Sequence, residues 1–220
     1  KSAIETITKR LAHGGPDDSR AWCDTSISLG FQRLSIIDLS PAGNQPMSNE
    51  NGKLKLVCNG EIYNYSALHH HLAQLGHNFS SQSDTECILH GYEQWGAAVV
   101  NHLRGMFAFG LWDQASQTLF LARDRLGIKP LYYYWDGRRF AFASEIKALT
   151  EMPNANLAED DSALWDYLTY LYIPTPKTIY KNIRQLPAGH TMTIRPGNEP
   201  LIEEYWDLPN WGDPMSVDDP

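Results

Sequence analysis

Apolar positions recur along the chain with two different periods. In KSAIETITKRLA, Ile4, Ile7 and Leu11 fall on one helical face, and no capping residue precedes them. Strand-like pieces follow in SISLGFQRLSIIDL and KLKLVC, with SNENGK between them as a turn containing Asn51-Gly52. Leu68, Leu72 and Leu75 then line a helix that Gly76 can close. A second helix is expected from SDTE, where Ser83 and Glu86 fit a capping box and Ile88, Tyr92 and Trp95 form the apolar face.

From residue 105 the period shortens to that of strands. GMFAFGLWD, TLFLARD, PLYYYW and RFAFAS are separated by turn signals that include Asp136-Gly137, which predicts antiparallel hairpins. In MFAFGLW both alternating sets are apolar, Phe107, Phe109 and Leu111 on one face and Met106, Ala108 and Trp112 on the other, so this sheet is covered on both sides. Helices interspersed among at least six strands predict an α+β fold in which two sheets pack together with helices outside them. After Ala148 the chain is richer in proline, with one amphipathic helix in DSALWDYLTYL and a strand pair around GHTMTI. LPNWGDPMSVDDP reads as a linker.

Composition narrows the function. With 220 residues, 42% of them hydrophobic, the chain can build a sizeable core. A net charge of -8 argues against a nucleic-acid partner, and no apolar run approaches the roughly 20 residues that span a bilayer. A cytoplasmic protein is expected. Cys23, Cys58 and Cys87 are widely spaced and suggest reduced thiols rather than disulfides or a zinc site. His69-His70-His71 are consecutive on a helix and point about 100° apart, so they cannot converge on one ion. No metal site is expected. HGGPDDS at 13–19 is similar to a pyrophosphate loop, but a helix precedes it and Pro16 removes an amide, so no phosphate site is read there.

Three positions invite a functional reading, although structure explains each of them when it is taken singly. NGEIYNY at 59–65 places Asn-Gly and a carboxylate between a strand and a helix, with no returning strand to make it a hairpin. Arg33 interrupts an apolar strand in FQRLSIID, and a buried guanidinium needs an anion, either Glu61, Asp38 or a ligand carboxylate. Asp84 occupies a helix first turn, where the macrodipole favours it whatever its role.

In order along the chain, HGGPDD, QRLSIIDLSPAGNQPM, CNGEIYNY, SDTECIL, GMFAFGLWD, RDRLGIKPLYY, ASEIKAL and LPAGHTM closely resemble the glutamine amidotransferase domain of glutamine-hydrolysing asparagine synthetases. The resemblance implies an N-terminal-nucleophile hydrolase fold, a four-layer αββα sandwich of two antiparallel sheets, over residues 1–207, with 208–220 as a linker toward a synthetase domain. It implies a glutaminase that releases ammonia for amidation of aspartate, through attack by an N-terminal cysteine on glutamine. Alternatives left open are an amidotransferase serving another acceptor and an inactive glutamine-binding module.

On that resemblance the Asn59 side chain and the Gly60 N–H form the oxyanion hole. Arg33 holds the glutamine α-carboxylate, the backbone of Leu34, Ser35, Ile36 and Ile37 shapes the pocket, and Glu61 and Asp84 hold the α-ammonium. The domain itself needs no cofactor, whereas ATP and Mg are expected for the synthetase domain. Its partners are glutamine and that C-terminal domain, and the family allows a homodimer. Two positions depart from the family pattern. The chain opens Lys1-Ser2 without the nucleophilic cysteine, for which Cys58 is a poor substitute because neighbouring strand residues face opposite ways. Gly14 stands where arginine is usual. A truncated chain accounts for the first departure and for the uncapped opening helix.

Overall fold

The computed structural model describes residues 2–208, so the expected linker lies outside the described residues from Pro209 onward. The longest strands are β4 (Leu54–Ile62) and β5 (Gly105–Asp113), paired antiparallel along their whole length, from Leu54 opposite Asp113 to Ile62 opposite Gly105. Around this pair a six-stranded sheet forms in the order β11 (Leu201–Glu204), β10 (His190–Ile194), β6 (Thr118–Arg123), β5, β4, β3 (Met47–Ser48).

The double apolar alternation of β5 has the consequence expected of it. Phe107, Phe109 and Leu111 pack with Leu56, Cys58 and Ile62 of β4 beneath two helices, α2 (Tyr65–Gln74) and α3 (Glu86–Trp95), which contribute Leu68, Cys87, Ile88 and Leu89. Ala108 and Trp112 face the other way and join Val57, Leu119, Leu121 and Met192. Against this second face pack β1 (Asp18–Cys23) with β2 (Ser28–Arg33), and a three-stranded sheet ordered β8 (Phe140–Ala143), β7 (Tyr132–Trp135), β9 (Ile183–Gln185). Outside them lie α1 (Ser2–Lys9) and α4 (Ile146–Leu149), with Ile7 and Leu11 packed on the Tyr134, Ala148 and Leu149 cluster. The layers are therefore helix, sheet, sheet, helix. Among the described residues the inner second layer is split: β2 is hydrogen-bonded to β1 alone, and β8 to β7 alone.

Several local expectations change. LSIIDL is not strand: β2 ends at Arg33, because that guanidinium collects the carbonyls of Asp38 and Ser40 and curls the chain into a loop around itself. Asn59, Gly60 and Glu61 lie inside β4 rather than in a connecting loop, since β5 offers nine paired positions that carry the strand on to Ile62. The capping box does not form: Glu86 is already the first residue of α3 and its carboxylate reaches back to Ser80 and Ser81. Helix α5 (Asp161–Tyr170), expected to be amphipathic, buries only Ala163 and leaves Leu164, Trp165 and Leu168 exposed. Strand β1 went unread because its half-polar sequence carries no apolar alternation.

Candidate functional site

A cavity of about 810 Å³ opens in the split of the second sheet layer. Its sides are β2 and β8, its roof is Ile4, Ile7, Thr8 and Leu11, and its floor includes Val57, Asn59, Ala108, Gly110 and Trp112 of β4 and β5. Arg33, Leu34, Ser35, Ile36, Ile37, Asn59, Gly60, Glu61 and Asp84 all line it, so the structure brings the nine candidate residues to one place.

Strand parity sorts β4. Cys58 and Ile62 point into the core under α2 and α3, while Val57 points to the opposite face. Asn59 and Glu61 share the parity of Val57 and therefore face the cavity side. The Asn59 carboxamide meets no hydrogen-bond partner among the described residues. Cys58 is buried, and desolvation followed by the nearby charge of Asp84 pushes its thiol well above the ordinary range, which makes it a poor nucleophile.

The same parity governs the backbone. Cys58 exchanges both of its bonds with the Gln45 side chain, N–H to Oε1 at 2.6 Å and C=O from Nε2 at 3.2 Å. Ile62 donates its N–H to Asp84 Oδ2 at 2.7 Å. The N–H of Gly60 lies between these two on the open edge of β4. It cannot be bonded to its register partner Phe107, whose N–H and C=O both turn the other way, to Asp124. A free donor thus remains beside the free Asn59 amide. Glycine is needed here for packing against β5, because a Cβ at position 60 would stand 2.2 Å from Met106 O.

Arg33 is 8% exposed. Nη1 donates to Ser40 O at 2.9 Å and to Asn44 Oδ1, and Nη2 donates to Asp38 O. All three acceptors are neutral, and among the described residues Arg33 forms no ion pair. The Asp38 carboxylate is engaged elsewhere, accepting from Ser40 N at 2.7 Å and Gln82 N at 2.9 Å, which ties the loop after β2 to the segment carrying Asp84. Asp84 itself is buried, and desolvation raises its carboxyl pKa, with the charge of Glu61 adding to the shift. Among the described residues, neither the Arg33 guanidinium nor the Glu61 and Asp84 carboxylates form a direct ion pair.

Sequence reading missed Gln45, which clamps the edge of β4, and Lys129, which lines the cavity. Neither has a local pattern that announces it. At Gly14 a Cβ would meet nothing within 4 Å, so the backbone there leaves room for a side chain.

The donors of Asn59 and Gly60 and the charged groups of Arg33, Glu61 and Asp84 thus line one cavity between the two sheet layers. The sequence profile of a family described as "Glutamine amidotransferase domain" matches residues 1–206, and the chain belongs to that family. It is 36% identical over 223 residues to glutamine-hydrolyzing asparagine synthetase 3 of Bacillus subtilis, a match that covers 100% of this chain and 36% of that protein. It is 37% identical over 203 residues to asparagine synthetase 1 of the same organism, covering 92% of this chain and 32% of the relative. The chain thus spans about a third of these relatives. Among solved structures, glutamine phosphoribosylpyrophosphate amidotransferase from B. subtilis superposes with a TM-score of 0.59 at 20% identity, covering 81% of this chain and 35% of the other, which shows the shared fold. No helix among the described residues is long and apolar enough to cross a membrane.

Proposed function

We propose that this chain is the glutamine-hydrolysing part of an asparagine synthetase. The observation that carries the reading is Arg33: a buried guanidinium bonded only to neutral oxygens, lining the same cavity as Glu61 and Asp84. A glutamine laid there gives its α-carboxylate to Arg33 and its α-ammonium to the two acids. Its carboxamide then points along β4 toward Asn59 and Gly60. Attack by a thiolate forms a C–S bond and puts negative charge on the amide oxygen, which the two donors receive. The C–N bond breaks, ammonia leaves with the proton taken from the thiol, and water later cleaves the thioester to glutamate.

The nucleophile in this reading sits on an extended segment preceding Lys1. The split between β2 and β8 supports it: two strand edges without partners among the described residues face a cavity with a largely apolar roof and floor, the surroundings a further strand requires. The ammonia acceptor is aspartate, activated with ATP and Mg in a C-terminal synthetase domain, in keeping with the names and greater length of the relatives. The test is ammonia release from glutamine. The complete protein is expected to release it, and the 220-residue chain is not. Release by the short chain that survives substitution of Cys23, Cys58 and Cys87 contradicts the reading.

A further inference from the structure

His77, His90 and Glu93 form a second cluster, and none of them lines the cavity described above. One donor atom from each lies within 4.8 Å of the others. Glu93 Oε2 is 2.8 Å from His90 Nδ1 and 3.5 Å from His77 Nδ1. The outward nitrogens of both rings are backed by oxygens: His77 Nε2 is 3.2 Å from Gln94 Oε1, and His90 Nε2 faces Glu86 Oε1 at 3.5 Å. The other carboxylate oxygen of Glu93 accepts from Asn49 Nδ2 at 2.7 Å.

We propose that His77, His90 and Glu93 bind a divalent transition-metal ion of the zinc type, with water completing a tetrahedral set. Two imidazoles and one carboxylate suit zinc rather than magnesium or calcium. Metal-bound histidines characteristically give one nitrogen to the ion while the other faces a carboxylate or amide oxygen that fixes the ring, which is the arrangement of both rings here. His90 is 1% exposed, and its buried Nε2 faces Glu86 Oε1 at 3.5 Å, at the outer limit of a hydrogen bond. The tetrahedral bond lengths of zinc require ligand atoms about 3.3–3.5 Å apart. The His77–Glu93 separation already matches, and the shorter His90–Glu93 one opens by turning the Glu93 carboxylate. The His77 and Glu93 side chains are 16% and 22% exposed, so the ion can enter from solvent. Bound there, it joins α3 to the turn after α2 and, through Asn49, to the β3–β4 hairpin.

The experiment uses the complete protein, stripped with a chelator and titrated with Co²⁺ and then Zn²⁺. One Co²⁺ per chain is expected, with the intense visible d–d absorption of a tetrahedral ion, displaced by Zn²⁺, and Zn²⁺ raises the thermal midpoint. His77→Gln and Glu93→Gln alter partly exposed side chains, keep the metal-free midpoint and lose the absorption. Gln94→Ala retains it with affinity lowered about tenfold. A Co²⁺ spectrum that stays octahedral and weak overturns the proposal. Tetrahedral absorption that survives in either His77→Gln or Glu93→Gln overturns it as well.

Discussion

Arg33 is bonded to Asp38 through the backbone carbonyl of Asp38, not through its carboxylate, which is taken by Ser40 and Gln82. A loop carbonyl orients the guanidinium without neutralising it, so the charge stays available to a ligand carboxylate. Arg33→Lys in the complete protein is expected to raise the glutamine KM by about ten- to a hundredfold, equivalent to about 1.5–3 kcal/mol for a charged hydrogen bond. Synthesis from free ammonia should stay unchanged. A parallel fall in both activities, measured side by side, assigns Arg33 to the loop alone.

Asp84 gives a pH signature. Burial, with Glu61 adding to it, raises its carboxyl pKa above the ordinary 3.8. An ammonium ligand favours the ionised form, so glutamine KM should climb as pH falls through the raised value, at a higher pH than an unperturbed aspartate would give. Because ionised Asp84 is disfavoured in the folded state, Asp84→Asn removes that limb without loss of stability while still accepting from Ile62 N. KM profiles of the two proteins across the acid range make the comparison, and an unchanged acid limb in Asp84→Asn contradicts the role.

Glu86 makes an opposite prediction, for stability. Burial would raise its pKa, but His90 and the N–H and hydroxyl groups of Ser80 and Ser81 outweigh burial and hold it at about 2. A folded-state pKa below the ordinary 4.5 contributes stability above about 4.5 that is lost as pH falls toward 2. Glu86→Gln leaves buried donors poorly matched and is expected to cost about 1–3 kcal/mol near neutrality. Urea unfolding at several pH values should show the gap between the two proteins narrowing in acid.

Gly60→Ala tests why glycine stands in β4. The added methyl meets Met106 O at 2.2 Å, inside any normal contact, so β4 and β5 must separate. A loss of about 1–3 kcal/mol in denaturant unfolding is expected. Wild-type stability in this variant would mean that β5 yields easily there.

What could be read in the sequence divides along physical lines. The alternation in GMFAFGLWD disclosed the two-faced central sheet because both sets of side chains are apolar, and burial on both faces is what β5 shows. Strand β1 escaped because its half-polar, mostly half-buried residues leave no periodic mark. Asn59-Gly60 read as a connecting loop between a strand and a helix, and nine register pairs with β5 overrule that local reading. At the site, the resemblance supplied the residues, while the structure alone supplies the reason Gly60 N–H is free: Gln45 and Asp84 occupy the donors on either side. Gln45 was invisible for that same reason, since its role exists only once residues 45 and 58 are adjacent.

Asn59 carries the most direct test. Steady-state ammonia release from glutamine should be measured for the complete protein and its Asn59→Ala variant, beside ammonia-dependent synthesis in the same preparations and circular dichroism for the fold. Loss of one of two oxyanion donors is expected to lower kcat by about 10²–10³, roughly 2.7–4 kcal/mol, with KM little changed because Arg33, Glu61 and Asp84 still hold the substrate. Synthesis from ammonia should be untouched. An Asn59→Ala protein that hydrolyses glutamine with the wild-type kcat would contradict the assignment of this cavity as the glutaminase site.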